Sequence, residues 1–150
     1  KEVVKRLVGF KCNIFVNDIN IDKKFCKKYR LNISTKKNIF KKCDVISIHT
    51  PLTKKTDHMV NVKIIKIMKK GCILINTARG RIIDLENSIK LINSKKIQMY
   101  IDVFPYEPYK LKKIFNTKKN IFSPHMTGTS IEAKQRIGFK NISDLKKYFL

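Results

Sequence analysis

Short apolar runs alternate with amphipathic, lysine-rich stretches along the whole chain. The apolar runs have the length and β-branched content of strands, whereas the amphipathic stretches place apolar residues at helical spacing. The predicted strands lie at residues 13–16, 31–33, 44–49, 72–75, 98–103 and 121–122. The predicted helices lie at residues 2–8, 22–29, 36–41, 61–69, 84–93 and from 129 onward, and residues 109–119 are a basic loop or a short helix. Alternating strands and helices predict an α/β fold with a doubly wound parallel sheet.

The clearest functional signal follows the fourth of these strands. The run from Cys72 to Ile75 predicts a strand buried on both faces of the sheet. It is followed at once by small, polar residues around one arginine, Asn76-Thr77-Ala78-Arg79-Gly80. In an open α/β sheet, ligands bind beyond the carboxyl ends of the strands. Arg79 is therefore predicted to bind a carboxylate there with its rigid fork of N–H donors.

Two further polar segments also follow apolar runs, at residues 101–108 and 123–129. The first contributes Glu107 and the second contributes His125. Taken singly, Arg79 could be a surface ion-pair residue, Glu107 a solvated acid and His125 a loop histidine. Because all three follow successive strand ends, we expect them to converge in one active site.

The C-terminal stretch predicts one long helix. Thr129 and Glu132 have the spacing of a capping box, which places the start of the helix at this point. Apolar residues then recur at helical spacing. Four of them are expected to face the core, namely Ile131, Ile137, Ile142 and Leu145. Asp84 is likewise the expected N-cap of the helix over residues 84–93.

The composition changes the picture mainly through its charge. The chain has 150 residues, enough for one domain with a core, and carries a formal net charge of +23. Phosphate neutralisation by a nucleic-acid-binding protein is one explanation of that charge. However, the lysines are scattered over almost every segment without a motif that reads DNA or RNA, which favours a solvated basic surface. We predict no specific nucleic-acid partner, and a basic field that helps collect small anionic substrates.

Other composition signals favour an ordinary cytoplasmic protein. No run approaches the roughly 18–20 apolar residues of a membrane span, so no membrane partner is expected. The four cysteines form no C-x-x-C pair and are interpreted as reduced thiols, with no metal site. We interpret His49 and His58 as structural, because one ends a strand and the other lies in a polar loop.

Four segments in order carry a resemblance to a known family: residues 43–52, 75–80, 102–108 and 123–129. Together they strongly resemble the D-isomer-specific 2-hydroxyacid dehydrogenases, over nearly the whole chain and in their NAD-binding domain. The resemblance implies a Rossmann-like fold, NAD as cofactor, and hydride transfer between nicotinamide and a small 2-hydroxy or 2-oxo acid. Residues 101–108 look most like phosphoglycerate dehydrogenase, and Glu107 separates them from formate dehydrogenase, which has glutamine there.

The resemblance also implies roles for individual residues. Arg79 would bind the substrate carboxylate and carbonyl, His125 would be the acid/base, and Glu107 would be its partner. Asp18, at a strand end, would accept hydrogen bonds from the ribose hydroxyls of NAD and repel the phosphate of NADP. Contacts to the cofactor are further implied for Thr50, Thr77, Ala78, Arg79, Asp102, His125 and Gly128. Asp102 would serve equally well to tie a turn.

Several parts of the family pattern are expected outside the chain. The Gly-rich turn and the strand before it should precede Lys1, and the substrate domain is absent. Residues 1–150 are therefore expected to be a partial NAD-binding domain, inactive alone and part of a homodimer when full length. In the Rossmann order 3-2-1-4-5-6, the missing strand would lie between those at residues 13–16 and 44–49. These two strands are thus predicted not to pair.

A second class of function stays open at this point. A relative with the same fold could act as an NAD-sensing interaction scaffold, or as a basic nucleic-acid-binding protein. The retained Arg79, Glu107 and His125 favour the enzyme. The sequence does not select one particular 2-hydroxy acid, because the residues that choose it are expected elsewhere.

Overall fold

The computed structural model describes residues 1–109 and 119–149, and each helix and strand expected there is present. The helices are α1 (Glu2–Leu7), α2 (Lys23–Lys28), α3 (Lys36–Lys42), α4 (Val62–Ile67), α5 (Leu85–Ser94) and α6 (Ile131–Phe149). The strands are β1 (Phe15–Val16), β2 (Asn32–Ile33), β3 (Val45–Ile48), β4 (Ile73–Asn76), β5 (Gln98–Ile101) and β6 (Ile121–Phe122). Short 3₁₀ helices span Val8–Phe10 and Gly80–Ile82. Most of the predicted loop or helix at 109–119 lies outside the described residues.

The strands form two parallel sheets, which confirms the α/β class. One sheet has four strands in the order β3-β4-β5-β6, and the other pairs β1 with β2. Within residues 1–109 and 119–149, β1 and β3 do not pair, as predicted for a Rossmann order with a strand missing between them. All four strands of the larger sheet run parallel, so their carboxyl ends share one edge. That edge carries the candidate site.

The hydrophobic core lies on one face of the larger sheet. The buried strand side chains on that face are Ile46, Ile48, Leu74, Asn76, Met99 and Ile101. They pack with buried residues of the helices, among them Ile65 of α4 and Ile92 of α5. The predicted burial of Cys72–Ile75 on both faces is wrong, because Ile73 and Ile75 are only half-buried. Successive side chains of a strand point to opposite faces of the sheet, so Ile73 and Ile75 lie on the face away from this core. Neither α1 nor α6 contains a buried residue.

Helix α6 is present as predicted, but the prediction that its apolar stripe faces the core is wrong. Ile131 is 73% exposed, and Ile137, Ile142 and Leu145 are 55–58% exposed. The start of the helix also differs, because Ser130 Oγ accepts from the backbone N–H of Ala133 and therefore caps it instead of Thr129. Helical periodicity predicts an apolar stripe, but it does not say what covers that stripe.

Two other local expectations can be compared with the structure. Asp84 precedes α5 as expected, but its carboxylate accepts from the side-chain amide of Asn87 at 3.0 and 3.1 Å and makes no cap to the backbone. All four cysteines are free thiols, and burial raises the pKa of Cys43 and Cys72. None of the described helices combines the length and the apolar character needed to cross a bilayer.

Candidate active site

An open cleft of about 450 Å³ lies at the carboxyl ends of β3 and β4. Its lining residues come from the segments that follow these two strands: His49, Thr50, Pro51, Leu52, Thr77, Ala78 and Arg79. Parallel neighbouring strands deliver their following segments to the same edge of a sheet. The structure therefore brings together four of the residues singled out from the sequence, namely Thr50, Thr77, Ala78 and Arg79.

A buried amide organises the turn after β4. The side chain of Asn76 is fully buried, and its Oδ1 accepts from the N–H of Ala78 at 3.0 Å. Its Nδ2 donates to the carbonyl oxygen of Arg79, also at 3.0 Å. Because both polar ends of the amide bind the same turn, Asn76 fixes the backbone that presents Arg79. This role of Asn76 was not predicted from the sequence, where its only signal was a polar amide at the end of an apolar strand.

Arg79 is exposed at the cleft with most of its donors available. Its Nη1 donates to the carbonyl oxygen of Ala78 at 2.6 Å. Within the described part of the chain, no carboxylate forms an ion pair with it. Arg81, two residues later, instead pairs with Asp57 at 2.5 Å. A cleft arginine without a protein counter-ion suits an anionic ligand, because its planar fork matches a carboxylate.

The predicted histidine–glutamate pair is present in the structure. Nδ1 of His125 lies 2.9 Å from Oε2 of Glu107, and both side chains are partly exposed. The hydrogen bond with His125 lowers the pKa of Glu107, and the backbone N–H of Phe104 lowers it further. An ionised carboxylate only accepts hydrogen bonds, so Nδ1 of His125 must be the donor. This leaves Nε2 of His125 as the nitrogen that can exchange a proton with a ligand.

Asp102 ties down the loop that carries His125. Its carboxylate is buried, and it accepts from Ser123 Oγ at 2.6 Å, Met126 N–H at 2.9 Å, and both N–H and hydroxyl of Thr127. Burial would raise the pKa of Asp102, but these hydrogen bonds outweigh it and lower the pKa to about 2. The bonds bracket His125, whose backbone is left-handed with φ 53°. The structure thus gives Asp102 the tying role, and its predicted contact with the cofactor stays a prediction.

Replacing Asp102 with asparagine should destabilise the protein by about 2–3 kcal/mol, because one amide oxygen cannot accept from all four donors. The sign with pH follows from the lowered pKa. A carboxyl group with a folded pKa of about 2 and an ordinary value of 3.8 contributes stability above pH 4, which is lost as pH falls towards 2. Urea unfolding of the full-length protein at a series of pH values measures this. Between pH 4 and pH 2, the free energy of unfolding should fall less steeply in the variant than in the wild type. Asp144→Asn, at an exposed position of α6, should show the same fall as the wild type.

Asp18 and Gly128 do not line the cleft at the ends of β3 and β4. Asp18 is exposed beyond the end of β1, on the smaller sheet, where Oδ1 accepts from the N–H of Asn20 at 2.9 Å. Gly128 is exposed three residues after His125, and a Cβ built on it would meet nothing within 4 Å. Packing therefore does not explain the glycine. The cofactor contacts expected of both residues stay predictions.

His49 is a site residue that the sequence analysis missed. It was interpreted as structural, yet it lines the cleft beside Thr50 and Arg79. Its Nε2 lies 2.8 Å from Ser47 Oγ, which fixes the orientation of the ring. Burial lowers the pKa of His49. Its place at a strand end, next to Thr50, was the available signal.

No metal site accompanies these groups in the described ranges. Across residues 1–109 and 119–149, no three His, Cys, Asp or Glu side chains come together in a way that could hold a metal ion.

Comparison with known proteins gives a consistent result. The family model described as "D-isomer specific 2-hydroxyacid dehydrogenase, NAD binding domain" matches residues 1–127. A glyoxylate reductase of Thermococcus litoralis is 40% identical over 98 residues, which cover 65% of this chain and 30% of that protein. A D-3-phosphoglycerate dehydrogenase of Haemophilus influenzae is 37% identical over 112 residues, which cover 71% of this chain and 27% of that protein.

Solved structures give the same match at the level of the fold. A D-lactate dehydrogenase from Aquifex aeolicus, crystallised with NAD and lactic acid, superposes with a TM-score of 0.82 and 25% identity. The match covers 98% of this chain and 49% of that one. The chain thus spans about half of that structure and less than a third of the two curated relatives.

Proposed function

The chain belongs to the D-isomer specific 2-hydroxyacid dehydrogenase family, in its NAD-binding domain, and we propose that its protein reduces a 2-oxo acid to a 2-hydroxy acid with NADH. The observation that carries the proposal is the hydrogen-bonded pair of His125 and Glu107. The pair lies in segments that follow the same sheet edge as the unpaired Arg79. An anion-binding arginine and an acid/base histidine are the two groups that such a reduction requires.

The donor set of the cleft fits a dinucleotide. The cleft opens at the carboxyl edge of a parallel sheet, where this fold binds such ligands, and Thr50 and Thr77 line its wall. Gly128 leaves space in which a side chain would meet no protein atom. We assign Thr50, Thr77, Ala78 and Gly128 to the nicotinamide end. When bound, the cofactor supplies or accepts the hydride.

Arg79 binds and orients the oxo acid. Its side chain is held at one nitrogen by the carbonyl of Ala78, and Asn76 holds the turn below it. The remaining N–H groups donate hydrogen bonds to the substrate carboxylate and so orient the neighbouring carbonyl towards His125. A fixed orientation of this kind lowers the barrier, because the reacting groups no longer have to be brought into line.

His125 handles the proton. Reduction places negative charge on the carbonyl oxygen, and Nε2 of protonated His125 donates a proton to it. The Glu107 carboxylate accepts from Nδ1, which orients the ring. In the oxidation direction, neutral His125 accepts the proton of the substrate hydroxyl. Glu107 acts through the histidine and is a positioning residue.

Steady-state assays of the full-length protein test this proposal. We expect oxidation of NADH that depends on a small 2-oxo acid, with glyoxylate, hydroxypyruvate and pyruvate as the first compounds to try. The reverse reaction should proceed with NAD and the matching D-2-hydroxy acid, and not with the L isomer. A pure, folded protein that consumes no NADH with any 2-oxo acid would refute the proposal.

Glu107→Gln should lower kcat for oxo-acid reduction by about 5-fold. The lowered pKa of Glu107 keeps it ionised, and the hydrogen bond that it accepts from Nδ1 of His125 is stronger than one to a neutral amide by about 1 kcal/mol. Glutamine keeps much of the shape but removes the charge, so the ring is held less firmly in the orientation that presents Nε2 to the substrate. Measurements of kcat and of the dissociation constant of oxamate test this, because kcat should fall while oxamate binding stays near its original strength. Glu132→Gln, on α6, is the matched control, and an unchanged kcat in the Glu107 variant would contradict the role.

Replacing Asp18 with asparagine should narrow the preference for NADH over NADPH by about 5-fold. The carboxylate would repel the additional phosphate of NADPH, and a repulsion of about 1 kcal/mol corresponds to roughly that factor. The ratio of kcat/KM values for the two cofactors in the full-length protein measures it. If the unmodified protein already uses NADPH as well as NADH, the assignment of Asp18 is wrong.

A further inference from the structure

Gly80 lies where the segments after β4 and β5 come closest. It is buried, and a Cβ built on it would lie 1.9 Å from the carbonyl carbon of Phe104. The same Cβ would lie 2.1 Å from the Phe104 oxygen and 2.5 Å from the nitrogen of Pro105. All three are backbone atoms, so no side-chain rotation could make room for a methyl group. Only glycine allows these two backbones to approach this closely.

Each side of this contact carries one half of the candidate site. Gly80 directly follows Arg79, whose carbonyl is held by Asn76. On the other side, the N–H of Phe104 donates to Oε1 of Glu107 at 3.3 Å, and Glu107 binds His125. The contact therefore joins the anion-binding half of the site to its proton-transferring half through the backbone alone.

The backbone of Phe104 cannot easily move away from Gly80, because the Phe104 ring is packed in place. The ring of Phe104 stacks on Tyr109 with centroids 4.6 Å apart and packs against Phe122 at 6.0 Å. These rings lie beside the core cluster, which is packed too densely to absorb a shift cheaply. A methyl group at Gly80 would therefore displace the turn that carries Arg79.

We propose that Gly80 is a positioning residue that sets the distance between Arg79 and the His125–Glu107 pair. The inference rests on the proposed function, since it concerns the geometry of the same reaction. An ordinary contact of a Cβ begins at 3.4 Å, so alanine at this position must move one wall by at least about 1.5 Å. A misplacement of about 1 Å is enough to slow a reaction by roughly 10²-fold when the reacting groups must stay aligned.

Gly80→Ala in the full-length protein tests the proposal. We expect kcat for the oxo acid to fall by about 10²-fold. We also expect the dissociation constant of oxamate, an unreactive 2-oxo acid analogue, to rise by about 10-fold in calorimetry, because Arg79 no longer meets its carboxylate in register. The dissociation constant of NADH should change less, because only Thr77 and Ala78 among its proposed contacts lie on the displaced turn, whereas Asp18, Thr50 and Gly128 lie on other segments. This split between the two ligands is a readout that a general loss of stability would not produce.

Gly71→Ala is the matched control for a loss of stability. Gly71 also has a special backbone, with φ 74°, but a Cβ on it would meet nothing within 4 Å. It precedes β4 and so lies at the opposite end of that strand from Arg79. The variant should melt earlier from strain and keep the kcat and oxamate affinity of the wild type, measured well below both melting temperatures. If Gly80→Ala behaves like Gly71→Ala, Gly80 is only structural and the inference is wrong.

A second variant decides the matter if Gly80→Ala does not fold. Pro105→Ala loosens the other wall of the same contact without adding an atom at Gly80. A fall in kcat together with weaker oxamate binding supports the inference, whereas wild-type values for both overturn it. The wild-type assay distinguishes a failure of the proposed function from a failure of the inference about Gly80. If the unmodified protein reduces no 2-oxo acid, the proposed function fails and the inference fails with it; if it does so and neither variant shows the split, only the inference fails.

Discussion

Replacing His125 with alanine is expected to slow oxo-acid reduction by a factor of about 10²–10⁴ while changing substrate binding little. The reason is specific to the transition state, where charge develops on the carbonyl oxygen that Nε2 of His125 neutralises. Nδ1 already donates to Glu107 at 2.9 Å, so the ring is oriented before the substrate arrives. Loss of an interaction made only in the transition state lowers kcat and leaves the dissociation constant of oxamate near its original value.

The chain offers a matched control for this substitution. His58 is also an exposed histidine with a left-handed backbone, with φ 49° against 53° at His125. It lies near Asp57, away from the cleft. His58→Ala should therefore show the effect of removing a histidine from such a backbone without the loss of rate. Near-normal turnover by His125→Ala would exclude this histidine as the acid.

Arg79→Ala is expected to damage both affinity and rate. Hydrogen bonds to a charged group contribute about 1.5–3 kcal/mol, so KM for the oxo acid should rise by about 10–10²-fold, and kcat should fall because the carbonyl is no longer directed at His125. Arg79→Lys should have KM and kcat values between those of the wild type and Arg79→Ala, because a lysine supplies the charge but not the planar arrangement of donors. The measurements are steady-state kinetics and calorimetry with oxamate.

Arg81→Ala provides the contrast for the Arg79 variants. Arg81 is also exposed, but its guanidinium pairs with Asp57 and not with the cleft. Its removal should leave KM for the oxo acid unchanged. If KM rises equally in both variants, the effect comes from the loss of one positive charge on a basic protein. That result would contradict direct binding of the substrate carboxylate by Arg79.

Local pattern and family resemblance were sufficient to predict the helices, the strands and the edge of the sheet at which the candidate site lies. The strands ending at Ile48, Asn76 and Ile101 were visible as apolar runs, and their following segments were correctly expected at one edge of a parallel sheet. The pairing of His125 with Glu107 was predicted from the resemblance and is present at 2.9 Å. These predictions succeeded because parallel topology brings strand ends together regardless of the details of packing.

The remaining features depend on contacts that sequence periodicity does not encode. Asn76 could have faced solvent, and only the folded turn shows that both ends of its amide are used. Gly80 and Phe104 are distant in the chain, so their close approach is visible only in the folded structure. In the sequence, Gly80 could not be distinguished from an ordinary turn glycine. Ile137 of α6 was expected to be buried and is 56% exposed, because an amphipathic pattern states a preference for burial without naming the surface that provides it.

We propose that the full-length protein moves hydride from NADH to the carbonyl carbon of a 2-oxo acid at the site of Arg79, Glu107 and His125. Running the reaction with NADH that carries deuterium at both C4 positions, and analysing the product by NMR, tests this transfer directly. We expect the wild type to form a D-2-hydroxy acid that carries deuterium at C2, and the His125→Ala variant to form far less of it. A product without deuterium at C2, or one formed equally fast by that variant, would show that hydride transfer at this site is wrong.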